Sequence, residues 1–154
     1  MALSRRRFLM TSGVLALTAT AFVALDGQNQ FYAALAEDSL GDSIAPDVAH
    51  QNAIAGNITL IDIRRPDEWN RTGSGEGANR LDMRRDDFVV ALNEIVDGDK
   101  AAPIALICAR GVRSSRMSNL LIKAGFTNII DVPEGMLGSA AGPGWLERGL
   151  PVVR

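Results

Sequence analysis

The chain has 154 residues, of which 47% are apolar and 22% charged, and a net charge of −2. That is enough for one well-packed domain but not for two, and the charge leaves no electrostatic footprint for nucleic acid. A single cysteine, Cys108, and a single histidine, His50, exclude a disulfide framework, a multi-cysteine metal site and the usual Cys–His dyad.

Residues 1–36 read as an export signal. Paired arginines in "SRRRFLM" (4–10) precede the apolar segment "GVLALTATAFVAL" (13–25). As a helix that segment covers only about 20 Å, short of a hydrocarbon core of roughly 30 Å, so it is a signal segment rather than a span. Ala34 and Ala36 in "ALAED" fit the small-residue rule for cleavage after Ala36. The arginine pair resembles the bacterial twin-arginine (Tat) signal, with the general secretory route as the alternative. Its removal takes three arginines and one aspartate and brings the charge from −2 to −4. The expected location is therefore periplasmic or otherwise exported, with no stable membrane span once the signal is cleaved. A lone thiol in an oxidising compartment points to chemistry, because structural cysteines there are normally paired.

Residues 37–45 are expected to be a flexible leader, and residues 46–154 the domain. "PDVAHQNAIAG" predicts a short helix with Pro46 at its start, Ala49, Ala53 and Ile54 on one face, and Gly56 at its end. His50 is expected on its surface, half exposed. "ITLIDI" (58–63) reads as a buried strand, "PDEW" as a helical turn, and "LDM" (81–83) as a very short strand. Phe88, Leu92, Ile95 and Val96 form the stripe of an amphipathic helix. Arg84 and Arg85 precede it as a solvated helix start. "PIALIC" (103–108) is a second apolar strand. Met117, Leu120, Leu121 and Ala124 mark a second amphipathic helix that ends at Gly125, "NIIDV" (128–132) a third strand, and "WLERG" one helical turn.

Strands alternating with helices predict an α/β fold: a mostly parallel sheet with helices on both faces and its ligand site at the carboxyl ends of the strands. Two such ends carry reactive side chains, "DIRR" and "CARGVR". After Cys108 the chain must turn sharply into a helix. Gly111 offers a position free to take φ > 0, and the turn gathers backbone N–H groups at a helix N-terminus. Arg110 and Arg113 add positive charge. Such a nest favours a thiolate, which makes Cys108 the candidate nucleophile. The plainer alternative is a small buried hydrophobe at the end of a strand.

"CARGVRS", "LIDIRRPDEW" (60–69) and "EGMLGSAAGPGWLERGLPV" together resemble three segments of rhodanese-like sulfurtransferase domains, in the same order. The likeness runs from about Pro46 to the C-terminus. Two departures are visible. The family's His-Ile-Pro-Gly-Ala stretch is "GSGEGANRLDM" here, and its Gly-Gly start to the closing segment is Glu134-Gly135. The resemblance implies a single rhodanese-like domain in which Cys108 carries a persulfide, cradled by Ala109, Arg110, Gly111, Val112 and Arg113. Asp62, Arg64 and Glu68 support it, as scaffold rather than as a general base. It also implies a ping-pong transfer of sulfane sulfur from a donor such as thiosulfate to a thiophilic acceptor, without cofactor or metal. The partners are then a small sulfur donor and acceptor, with a protein acceptor as a further candidate. A non-enzymatic persulfide carrier is the main alternative. Phosphatase or arsenate reductase chemistry ranks lower: phosphate-handling relatives place the arginine six positions after the cysteine, and here Arg113 stands five after Cys108.

Overall fold

The computed structural model describes residues 38–154. The export signal and cleavage site expected in residues 1–36 lie outside the described residues. The strands are β1 (Asp42–Ser43), β2 (Thr59–Asp62), β3 (Ser74–Gly75), β4 (Ala78–Arg80), β5 (Ile104–Ile107), β6 (Ile129–Val132) and β7 (Val152–Val153), with β2, β5 and β6 lying in the three apolar runs. The helices are α1 (Pro46–Ile54), α2 (Pro66–Thr72), α3 (Phe88–Ile95), α4 (Val112–Lys123) and α5 (Gly144–Glu147). Five strands make one sheet in the order β1-β6-β5-β2-β4, and every pair in it is parallel. β3 and β7 form a separate antiparallel pair.

Alternation along the strands divides the core in two. Ile61, Ile63, Ile104, Leu106 and Ile129 face Phe88 and Leu92 of α3 and Met117 and Leu121 of α4. Leu60, Ala105, Ile107 and Val132 face Ala49 of α1 and Trp145 of α5. Burial of each large aliphatic side chain stabilises by about 1.5–3 kcal/mol, so a one-residue slip in β5, buried on both faces, would be costly. The parity that sends Ile104 and Leu106 toward α3 and α4 carries Cys108 to the same face. Trp145 is fully buried and donates its indole N–H to the Pro151 carbonyl at 2.9 Å.

Several expectations are corrected. The leader is not wholly flexible. Asp42–Ser43 pairs with β6, and Asn119 of α4 ties down the preceding turn, accepting from the Leu40 N–H at 2.8 Å and donating to the Asp38 carbonyl at 3.1 Å. The short strand lies at Ala78–Arg80 rather than 81–83, although the Leu81 and Met83 amides still bond to the end of β2. Leu120 is 58% exposed and Ile95 36%. α4 buries Ser114 and Ser118 beside Met117 and Leu121, and these small hydroxyl residues rotate its packed face away from Leu120. His50 is mostly covered, bonding Glu76 Oε2 at 2.8 Å with its ring edge-on to Trp145.

Asn119→Ala removes both bonds to the 38–40 turn. We expect a loss of about 1–2 kcal/mol in urea unfolding and faster proteolysis within residues 38–43, with the far-ultraviolet spectrum unchanged. Wild-type proteolysis rates in that segment would show that the leader does not dock.

Candidate active site

β5 delivers Cys108 to the carboxyl edge of the sheet, and α4 begins at Val112. Between them the chain folds back at Gly111, whose φ is +84°. A Cβ there would lie 2.3 Å from the Pro133 carbonyl oxygen, so the turn closes this tightly only with glycine. The outer side of the loop is bonded to the segment after β6. The Met136 and Leu137 amides donate to the carbonyls of Cys108 and Ala109, each at 2.9 Å. Those carbonyls therefore face away from the cavity. Among the described residues, the N–H groups of Ala109, Gly111, Val112 and Arg113 donate to no backbone or side-chain acceptor. They are available to an anion at the amino end of a twelve-residue helix.

Cys108 is only 1% exposed and touches the core cluster, yet it lines a cavity of about 520 Å³. The two descriptions offered by the sequence are not exclusive. The residue sits on the floor of the cavity, core on one side and polar loop on the other. The walls are Arg65, Glu68, Met83, Arg84, Ala109, Arg110, Val112, Arg113 and Leu137.

Arg113 reaches across to α2 and donates to both Glu68 oxygens at 2.7 and 2.8 Å. Its cationic form is favoured by that carboxylate, opposed by burial, and favoured again by the nearby Cys108 sulfur. Glu68 works at two ends, because its Oε2 also caps α2 by accepting the Arg65 N–H at 3.1 Å. Burial is the largest single influence on Glu68 and pushes its pKa up. The bonds from Arg113 and the Arg65 amide, with the charges of Arg113 and Arg64, together outweigh burial and bring it to about 2.

Asp62 and Arg64 lie beneath the site and line no part of the cavity. Both are buried, and Arg64 grips Asp62 through Nε at 2.9 Å and a terminal nitrogen at 2.7 Å. Ser74 donates to Asp62 at 2.7 Å, while Arg64 also donates to Thr72 and to the Gly73 carbonyl. This bonded pair fixes the loop after β2, and its donors occupy both Asp62 oxygens. Arg110 donates to the Gly138 carbonyl at 3.1 Å. No cluster of metal-ligating side chains occurs among the described residues.

A model of the rhodanese-like domain matches residues 45–141. The chain belongs to the rhodanese-like domain family. Its fold is similar to that of the polysulfide-sulfur transferase homodimer of Wolinella succinogenes. That likeness has a TM-score of 0.56 at 24% identity, over 85% of this chain and 88% of that one. The thiosulfate sulfurtransferase of Pseudomonas aeruginosa gives 0.57 at 20% identity, over 74% of this chain and 20% of the other. Both likenesses speak for the fold. The tRNA uridine(34) hydroxylase of Chlamydia abortus is 27% identical over 110 residues, 68% of this chain. The chain spans about a third (33%) of that relative's length.

Arg65, Met83, Arg84 and Leu137 of this rhodanese-like domain were not legible as cavity residues. Arg84, expected on a solvated helix start, is half of a bidentate pair with Asp82 and forms part of the wall. The signal available was positional: Met83 and Arg84 follow β4, and the carboxyl ends of parallel strands converge on one edge.

The Glu68 pair makes an acid-side prediction. A carboxylate whose pKa falls from 4.5 unfolded to about 2 folded stabilises the fold above pH 4.5, and that contribution is lost as the pH drops toward 2. Glu68→Gln has no such titration, so its urea midpoint should decline less steeply across that window than the wild type's. Parallel declines would mean that the Arg113 pair does not persist in solution.

Proposed function

We propose that this chain is a sulfurtransferase that carries sulfane sulfur on Cys108. The carrying observation is the six-residue loop with unengaged amides around a single cysteine at the floor of a cavity. The names of its structural neighbours in Wolinella and Pseudomonas agree with this reading.

With thiosulfate as donor, the Cys108 thiolate attacks the outer sulfur. A new S–S bond forms on Cys108, the sulfur–sulfur bond of the donor breaks, and sulfite leaves with its electron pair. The terminal sulfur of the resulting persulfide is anionic. In this reading the N–H groups of Ala109, Gly111, Val112 and Arg113 stabilise that charge as pre-placed donors. An acceptor, cyanide or a thiolate, then attacks the terminal sulfur, and Cys108 departs as thiolate. Arg113, held by Glu68, keeps a positive charge beside the sulfur through both steps. The cycle moves one sulfur atom without net oxidation and needs no cofactor.

The tight loop also supports sulfur over phosphoryl chemistry. With Arg113 turned to Glu68 and only six residues from Cys108 to Arg113, the cradle suits one added atom better than a tetrahedral oxyanion. The twin-arginine segment supports the further proposal that the reaction takes place after export, with cell fractionation as its check.

Incubation with thiosulfate and cyanide should yield thiocyanate with ping-pong kinetics, and Cys108→Ser should abolish it. A stable Cys108 persulfide, one sulfur atom heavier by mass spectrometry and without turnover, would replace the enzyme by a carrier. Phosphate release from an aryl phosphate without persulfide formation would overturn the reading.

A further inference from the structure

The segment from Glu134 to Arg148 forms the outer wall of the cysteine loop, and one buried carboxylate closes it. Glu134, 5% exposed, accepts the Gly144 N–H at 2.9 Å and two Arg148 nitrogens at 2.6 and 2.9 Å. Arg148 continues to Asp47 of α1 at 3.5 Å. The Arg148 hydrogen bonds hold the Glu134 carboxyl below the ordinary carboxylate range, against the effect of burial. The fit around it is close. A Cβ on Gly142, whose φ is +156°, would fall 2.5 Å from the Glu134 carboxyl carbon. Further bonds run from Trp145 N–H to the Gly135 carbonyl, Leu146 N–H to the Met136 carbonyl and Ser139 Oγ to the Pro133 carbonyl.

This closed segment presents three groups to the cysteine loop. The Met136 and Leu137 amides bind its carbonyls, and the Gly138 carbonyl accepts from Arg110. Arg110 and Leu137 both line the cavity. On its far side the Glu134 carboxylate thus closes the segment whose Gly138 carbonyl is one partner of Arg110.

We propose that Glu134 is a positioning residue for Arg110 and, through it, sets the preference of the Cys108 cavity for anionic over neutral reactants. The proposal rests on Cys108 being the reacting group and is independent of which sulfur donor is used. Glu134 touches no reactant. Its action runs through the 135–138 backbone to the Arg110 guanidinium.

Iodoacetate and iodoacetamide are similar in size and differ in charge, and with one cysteine in the chain loss of free thiol reports on Cys108 alone. The ratio of their second-order rates on the full chain measures the preference directly. Glu134→Gln should lower the iodoacetate-to-iodoacetamide ratio about threefold to tenfold, as should Arg110→Gln. Arg148→Lys, a milder change should Glu134→Gln fold poorly, should lower it less. In an Arg110→Gln background, Glu134→Gln should cause no further fall, because the two act in series. A Glu134 that only stabilised the fold would lower the melting temperature and leave the ratio unchanged, and that result overturns the proposal. So does a full second fall in the double variant. Failure of thiocyanate formation with the ratio behaving as described would remove the sulfurtransferase reading and leave this one standing. A wild-type Cys108 inert to both reagents would remove both.

Discussion

The site depends on how little room the chain has between β5 and α4. Gly111 must take a left-handed conformation with its α-carbon against the Pro133 carbonyl, because a parallel strand and the following helix are joined here by only four residues. Once the Cys108 and Ala109 carbonyls are bonded to Met136 and Leu137, the loop's acceptors are spent on its outer side. The N–H groups of Ala109, Gly111, Val112 and Arg113 are left without a backbone or side-chain acceptor among the described residues. A looser turn would let the amides find carbonyl partners, and the electrostatic advantage of the site would disappear with them.

Charge is arranged around this turn by pairs that cross between elements. Glu68 caps α2 and grips Arg113 of α4, so the helix that follows β2 and the helix that follows β5 are joined over the sulfur. Asp62 and Arg64 perform the corresponding task one layer below. Breaking a buried pair by removing one partner strands a charge and is far more costly than its net contribution suggests. Arg64 satisfies that demand with three partners, Asp62, Thr72 and the Gly73 carbonyl, while Ser74 bonds to Asp62. The carboxylate at the end of β2 is thus taken up by its own loop and lines no part of the cavity.

The parts legible in the sequence were those whose causes are local. Apolar runs at 58–63, 103–108 and 128–132 became β2, β5 and β6 because β-branched residues bounded by turn signals leave few alternatives. Cys108, Gly111 and Arg113 lie within six residues, so the tight turn that holds them together could be read from spacing. The rest depends on where strands end in space. Met83, Arg84 and Leu137 are scattered along the chain and meet only because β4, β5 and β6 finish at the same edge. The strand at Asp42–Ser43 has no apolar pattern and exists because β6 offers it a free edge and Asn119 holds the preceding turn. Leu120 misled through periodicity alone, since the buried face of α4 runs through Ser114, Met117, Ser118 and Leu121. Glu134 stands at the start of the closing segment, and only the fold reveals that its carboxylate closes the segment that walls the site.

The central claim is that the loop amides hold an added sulfur atom on Cys108. Amide proton and nitrogen shifts of the full chain, recorded before and after thiosulfate, test it most directly. The account predicts downfield shifts concentrated at Ala109, Gly111, Val112 and Arg113 that are absent in Cys108→Ser. Sulfur loading of Cys108 that leaves those four amides unmoved would contradict it.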